Sequence, residues 1–316
     1  MNPSQINNQK ILYASLDWGL GHVMRSIAVI QDLLPRNEII IACNSQQVHF
    51  FLAYFPNVKI EKLNGYDLKF KGTGKWSLDL LKQAPKMLKS IKSENKIVEK
   101  LSKKHQIDLI ISDHRYGFRN SKIESIFVTH QLHLPLKSWQ KSIQRWHERQ
   151  LNKFNEIWVL DEGNHALAGK LSLPINHPKL TYIGWKSRLE VPIKNEIKYD
   201  YLWVVSGPDP YAQQLLEFLL DQILFKDKKI AILYPNSVVL PELKLNMIAF
   251  SANGFKNSDE LFYESSVIVS RAGYSTLMDL KKIKKRGILI PTKGQGEQIY
   301  LAEFLQNDSQ FEFWKI

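Results

Sequence analysis

The sequence predicts an α/β protein of two successive parallel-sheet domains, and three observations predict it. Short apolar runs alternate with amphipathic stretches along all 316 residues, the pattern of strands joined by crossover helices. The pattern pauses between Gly184 and Lys198, where Gly184, Pro192 and weak periodicity mark a linker, and then restarts. Small-residue turns follow several strand-like runs and open helices, which is where open α/β sheets collect ligands. The implied domains are 1–184 and 185–316.

Taken in order, Lys10 to Ser15 reads as the first strand and His22 to Leu34 as its helix. Glu38 to Cys43 and Val58 to Leu63 follow as strands with a helix between them. Ser77 to Lys104 is helical and broken near Pro85, since proline starts a helix far better than it continues one. Ile107 to Ser112, Ser125 to Thr129 and Glu156 to Leu160 complete the first sheet, with a basic helix from Lys137 to Asn152. In the second half, Tyr201 to Ser206, Lys229 to Tyr234, Met247 to Ser251, Ser266 to Ser270 and Gly287 to Pro291 read as strands. Helices are expected at Pro210 to Leu224, Ser258 to Ser265, Tyr274 to Lys284 and Glu297 to Gln306. The halves share no sequence repeat.

Composition narrows the function classes. At 44% hydrophobic and 23% charged residues the chain has an ordinary globular balance. No apolar run approaches the roughly 20 residues that span a bilayer. The polar N-terminus runs straight into a strand, so no signal peptide is expected. The single cysteine, Cys43, permits neither an internal disulfide nor a thiolate cluster, and a cytoplasmic location is expected. A net charge of +12 favours an anionic partner. Lys59 to Lys104 holds 13 lysines against 5 acids, either a solvated helix face or a membrane-facing one. These lysines are not interleaved with stacking aromatics, which argues against nucleic acid.

Three constellations carry the chemistry. Trp18-Gly19-Leu20-Gly21-His22-Val23-Met24-Arg25-Ser26 follows the first strand. Gly19 and Gly21 let the backbone turn tightly, and His22 at the helix start can take a proton near neutral pH. The third glycine of a dinucleotide fingerprint is missing, with Met24 in its place, so hydride transfer is disfavoured. Ser206-Gly207-Pro208-Asp209-Pro210 follows the first strand of the second half and reads either as a diphosphate turn or as a plain proline-started helix entry. Ser270-Arg271-Ala272-Gly273-Tyr274-Ser275-Thr276, with Asp279 one turn on and Gln295, Glu297 and Gln298 after the next strand, has the makings of a nucleotide-sugar pocket. Its helix-end N–H groups and Arg271 suit phosphate, and Asp279 suits ribose hydroxyls.

Asp113, His130 and Gln131 stand at strand carboxyl ends and read as acceptor contacts. His130 and His133 lack a third ligand, so no metal site is expected. Trp139, Ile143 and Trp146 at helical spacing form either a core stripe or a basic interfacial face.

Together these motifs resemble the inverting, metal-independent glycosyltransferases of the two-domain GT-B fold. The resemblance is nearest to family 28, which includes the bacterial enzyme that adds N-acetylglucosamine to a lipid-linked peptidoglycan precursor. Gly21-His22, Ser206-Gly207, Asn253-Gly254-Phe255, Arg271, Gly273, Thr276, Asp279, Gln295, Glu297 and Gln298 carry it. The resemblance implies two Rossmann-like domains facing a cleft, with the acceptor in 1–184 and the nucleotide-sugar in 185–316. It implies a UDP-sugar donor held by Ser206, Gly207, Phe255, Arg271, Gly273, Ser275, Thr276, Asp279, Gln295, Glu297 and Gln298. It also implies His22 or Asp113 as base, acceptor contacts from Gly19, Gly21, Arg25, His130 and Gln131, and no cofactor or metal. The acceptor would be a glycan or lipid-linked molecule, reached from the inner face of an anionic membrane. The two prolines after Gly207 depart from the family's glycine-rich turn. The family usually continues through a further helix, so a short variant or a truncated chain is expected. Two other readings are a UDP-sugar hydrolase of the pseudaminic acid pathway type, in which His22 activates water, and a non-catalytic basic protein docking on membrane or nucleic acid.

Overall fold

The structure is a computed structural model and describes residues 2–136, 140–191, 196–252 and 258–315. The expected Phe255 contact, with Asn253 and Gly254, lies outside the described residues, as do Lys137 to Trp139 and Pro192.

Two parallel sheets form, each assigned to one compact unit. The first has strands β1 (Lys10–Ser15), β2 (Glu38–Cys43), β3 (Lys59–Lys62), β4 (Leu109–Asp113), β5 (Glu124–Thr129), β6 (Glu156–Val159) and β7 (Leu180–Tyr182), in the order β3-β2-β1-β4-β5-β6-β7. Helices α1 (Leu20–Leu33), α2 (Ser45–Tyr54), α4 (Ala84–His105) and α5 (Lys141–Leu151) connect them. The short α3 (Trp76–Lys82) precedes α4, which has Pro85 in its first turn. The strands are nearly continuous apolar runs because a parallel sheet is covered on both faces. Ile11, Leu12, Ile110, Ile111, Phe127 and Trp158 are all fully buried.

The second sheet has β8 (Tyr199–Val204), β9 (Ile230–Tyr234), β10 (Met247–Ser251), β11 (Ser265–Arg271), β12 (Arg286–Ile290) and β13 (Phe311–Phe313), in the order β10-β9-β8-β11-β12-β13. Its helices are α6 (Tyr211–Leu220), α7 (Ser258–Glu264), α8 (Tyr274–Ile283) and α9 (Gly296–Phe304). Trp203, Leu215, Leu219, Phe225 and Ile232 build its core.

The predicted strands and helices are present, with ends displaced by a few residues. The sequence reading closed the first sheet at Leu160 and the second at Pro291; the structure adds β7 and β13. Both are three-residue edge strands, too short to show a period.

By contacts the first unit holds Met1–Asp17, His22–Asp67 and Lys82–Arg188, and the second holds Trp18–Gly21, Leu68–Leu81 and Leu189–Ile316. Specific contacts place Leu68–Leu81 in the second unit. The Gly74 N–H donates to the Tyr211 hydroxyl at 3.3 Å, and Gln214 Nε2 donates to the Gly72 carbonyl at 3.2 Å. Trp76 stacks on Phe70 with ring centres 4.1 Å apart and leans on Tyr211 at 5.4 Å. Glycine is required where the two segments cross: Gly294 has φ +76°, and a Cβ there would stand 1.8 Å from the Gly74 carbonyl oxygen.

Each strand order reverses once, between β1 and β4 in the first sheet and between β8 and β11 in the second. Such switch points open a crevice at the strand carboxyl ends. The three singled-out constellations begin there, after β1, β8 and β11.

Candidate active site

In the first unit, register pairs Ser15 with Asp113, so β1 and β4 end side by side. The chain leaves β1 and turns at Gly19, whose φ of +85° suits glycine. It then enters α1, with His22 in the first turn. His22, Arg25 and Ser26 are spaced i, i+3, i+4 and share one helix face. All three grip Asp113. His22 Nδ1–H donates to Asp113 Oδ1 at 3.0 Å, and Arg25 Nε and the Ser26 hydroxyl donate to Oδ2 at 2.8 and 3.0 Å. Arg25 Nη2 adds a second ion-pair contact to Oδ1.

Asp113 is fully buried and Arg25 is 2% exposed, while the His22 side chain keeps 17% of its surface open. Burial alone would raise the Asp113 pKa. The charge of Arg25 and the hydrogen bonds from Arg25 and His22 outweigh it and hold the carboxyl far below the usual carboxylate range. Burial lowers the His22 pKa and Arg25 lowers it further, against the pull of Asp113. The result is a neutral imidazole with Nδ1–H committed to a carboxylate, which leaves Nε2 as the basic nitrogen.

Behind this pair, Arg25 Nη1 donates to His130 Nδ1 at 2.9 Å. His130 and Gln131 are 3% and 7% exposed. The Gln131 N–H donates to Thr129 Oγ1 at 2.8 Å, and its carbonyl accepts from His147 Nε2 at 3.0 Å. His114 packs edge-on against His22 with ring centres 5.4 Å apart, and burial holds its pKa well below the ordinary histidine value. The Tyr13 hydroxyl donates to the Ser26 hydroxyl at 3.1 Å. Ser26, Tyr13 and His114 were not assigned roles from the sequence. Ser26 was findable, because its i+4 spacing from His22 puts it on the same face.

In the second unit, Arg271 ends β11 and is 3% exposed. Its Nη2 donates to the Tyr211 carbonyl at 2.7 Å, while Nε and Nη1 are buried with no hydrogen-bond partner among the described residues. Burial pulls its pKa down to about 10. Gly273 is the N-cap of α8 and offers no side chain to the first N–H groups, those of Tyr274, Ser275 and Thr276. A Cβ at Gly273 would meet nothing within 4 Å. The Ser275 hydroxyl donates to the Gly21 carbonyl at 2.8 Å. Asp279 lies one turn on and is 6% exposed.

After β12, the Gln295 side-chain oxygen caps α9 by accepting from the Gln298 N–H at 2.9 Å, and Gln298 Oε1 accepts from the Thr292 N–H at 2.8 Å. Both side chains thereby keep an NH2 group for other use. Glu297 stands in the first turn of α9. The turn after β8 carries Ser206 and Gly207, both half-buried, and the Tyr211 N–H closes it on the Pro208 carbonyl at 2.8 Å. Among the described residues no three His, Cys, Asp or Glu side chains are grouped to hold a metal.

Residues 234–312 match the Glycosyltransferase family 28 C-terminal domain. Solved structures of similar fold include glycosyltransferases. Spinosyn rhamnosyltransferase SpnG complexed with thymidine diphosphate aligns at TM-score 0.65 and 12% identity, covering 96% of this chain and 86% of that one. Arabidopsis thaliana UGT89C1 complexed with UDP-L-rhamnose aligns at 0.63 and 9%, covering 98% and 86%. Acinetobacter baumannii MurG aligns at 0.53 and 12%, covering 98% and 85%. A search of curated proteins finds no match. The chain thus has the GT-B fold of two parallel-sheet units, shared with these structures. Within that fold its C-terminal domain is of the family 28 kind.

Proposed function

We propose that the protein transfers a sugar from a UDP-sugar to a hydroxyl acceptor with inversion at the anomeric carbon. The observation that carries this reading is the His22–Asp113 pair at 3.0 Å. Asp113 orients the imidazole and stabilises the imidazolium as it forms. His22 Nε2 takes the acceptor's hydroxyl proton while that oxygen bonds to the anomeric carbon. The bond from that carbon to the UDP oxygen breaks on the opposite face, and UDP leaves with the electron pair. Gly19, Gly21, Arg25, His130 and Gln131 shape the acceptor side, Arg25 and His130 by bracing the pair from behind.

The departing diphosphate is met by the α8 N–H groups of Ser275 and Thr276, by Ser206 and Gly207, and by the unpartnered N–H groups of Arg271. With those donors the reaction needs no divalent cation. Asp279 binds the ribose hydroxyls, and Gln295, Glu297 and Gln298 bind the transferred sugar. The thymidine diphosphate and UDP-L-rhamnose named in two of the similar structures support a nucleotide-sugar donor.

The acceptor is a lipid-linked or surface glycan reached from the inner face of a membrane. Supporting this, Leu78, Leu81 and Leu88 are 51%, 62% and 45% exposed among the lysines of α3 and α4. No helix among the described residues is long and apolar enough to cross a membrane.

A thermal-shift screen of UDP- and dTDP-sugars tests the donor side. A true donor at about 100 times its Kd adds about 2.7 kcal/mol of stability. Equal stabilisation of His22→Ala, with an Arg271 variant left unshifted, is expected. A screen in which no nucleotide-sugar stabilises the protein contradicts the proposal.

A further inference from the structure

A second polar site lies in the first unit, at the other edge of its sheet. Register pairs Leu109 with Glu124, so the turn just before Glu124 sits at the amino edge, whereas Asp113 ends β4 at the carboxyl edge. The length of β4, roughly 13–17 Å, separates them. At the amino edge a cavity of about 250 Å³ opens between the C-terminal half of α4 and the turn at 119–123. At about 30 Å³ per water, it has room for roughly eight waters, more than a phosphate group needs.

Its wall is cationic and incompletely paired. Lys103, Arg119 and Lys122 line it, and Glu99 is its one acid. Glu99 is paired with Lys103 at 2.9 Å and also feels the charge of Lys122. Arg119 and Lys122 make no side-chain hydrogen bond or ion pair among the described residues. Arg119 is half-buried, and burial lowers its pKa, as expected of a charge withdrawn from water without a counterion. Lys153 has its pKa lowered by burial and, next, by the charge of Arg119. Ser102 is 4% exposed, and its hydroxyl is buried in the same wall without a partner among the described residues.

The site is also built in advance of any ligand. The loop lies so close to α4 that a Cβ on Gly117 would stand 2.2 Å from the Ile91 carbonyl oxygen. Asn95 Nδ2 holds the Arg119 carbonyl at 2.7 Å, and the Lys122 N–H is held by Asn120 Oδ1 at 2.9 Å. Fixed backbone at both cations reduces the entropy lost on binding.

We propose that this cavity binds a phosphate group, carried either by a free phosphate or by the headgroup of an anionic phospholipid. Arg119 supplies a planar fork, Lys122 a point charge and Ser102 a neutral donor, the set that a tetrahedral polyanion accepts from several sides. The site is separate from the proposed transfer site and uses none of its residues.

The test is hydrogen exchange of the full chain titrated with inorganic phosphate, against chloride at matched ionic strength. Slowed exchange in 95–103 and 119–123 is expected, with an affinity about tenfold weaker in Arg119→Gln/Lys122→Gln. Ser102→Ala, which leaves the charge intact, weakens it less. A second arm compares cosedimentation with phosphatidylcholine vesicles and with vesicles that also contain phosphatidylglycerol. Loss of anionic-vesicle binding in the double variant, alongside the phosphate effect, assigns the headgroup as source; the phosphate effect alone assigns free phosphate. The proposal is overturned if phosphate gives no protection beyond chloride, or gives the same protection in the double variant, whatever the vesicles do.

Discussion

Asp113 Oδ1 stands 3.0 Å from His22 Nδ1, while its Oδ2 receives Arg25 Nε at 2.8 Å. One carboxylate therefore satisfies a buried arginine and sets the tautomer of a partly open histidine. The arrangement follows from two facts of sequence placement. Strands β1 and β4 end in register, and α1 presents His22, Arg25 and Ser26 on one face.

Replacing His22 by Ala removes the proposed base and leaves the Asp113–Arg25 pair in place. Turnover is expected to fall by roughly 10²–10⁴-fold, with donor binding and melting temperature little changed. Steady-state kinetics beside calorimetry checks this, and a His22→Ala protein with normal turnover refutes the assignment.

Asp113→Asn acts on both fold and chemistry. It leaves Arg25 charged, buried and short of its partner, a loss of about 3–5 kcal/mol. It also stops fixing Nδ1 as the protonated nitrogen. Denaturant unfolding should show the instability, and turnover of the folded fraction should fall as well.

The pH profile follows from the direction of the His22 shift. Its pKa lies below 6.5, because burial and Arg25 disfavour the imidazolium. Activity requires the neutral ring, so it is full above that pKa and lost as pH falls through it. The acid limb of kcat/KM should lie below pH 6.5, and a limb at or above that value contradicts the geometry.

His147 gives an independent pH effect, on stability. It is fully buried, Tyr116 OH lies 2.8 Å from its Nδ1, and burial lowers its pKa to about 4. The folded state thus binds the proton less readily than the unfolded chain. No stability is lost above pH 6.5, and on the order of 2–3 kcal/mol is lost as pH falls from there to about 4. Urea titrations at several pH values should show this slope, reduced in His147→Gln.

Much of this was legible in the sequence, for stated reasons. Apolar runs bounded by turns located the strands, small-residue turns after strands placed His22 and Arg271 at carboxyl edges, and the end of an apolar run placed Asp113 there. Other features carried no local signal. Strands β7 and β13 are three residues long. The association of Leu68–Leu81 with Tyr211 and Gln214 depends on contacts more than a hundred residues apart in sequence. The capping use of Gln295 and Gln298 was hidden because one side chain has two ends: the oxygen serves the fold, and the NH2 is proposed to serve a ligand.

Gly294→Ala probes that long-range crossing. The added Cβ meets the Gly74 carbonyl, and the φ of +76° is unfavourable for alanine. A destabilisation of about 1–3 kcal/mol is expected, with faster proteolysis within 68–81 than elsewhere. Unchanged cleavage there would mean that the segment does not rest on this turn.

The central claim is transfer from a UDP-sugar to a hydroxyl, with His22 as base and no metal. Its most direct test is UDP release in the presence of EDTA, measured for the wild type and His22→Ala, with and without a panel of glycan and lipid-linked acceptors, together with the anomeric configuration of the product by NMR. The account predicts UDP release that rises with one acceptor, an inverted glycosidic product, survival in EDTA and loss in His22→Ala. Free sugar formed in step with UDP, at the same rate whether or not acceptor is present, would contradict it and identify water as the group that His22 activates.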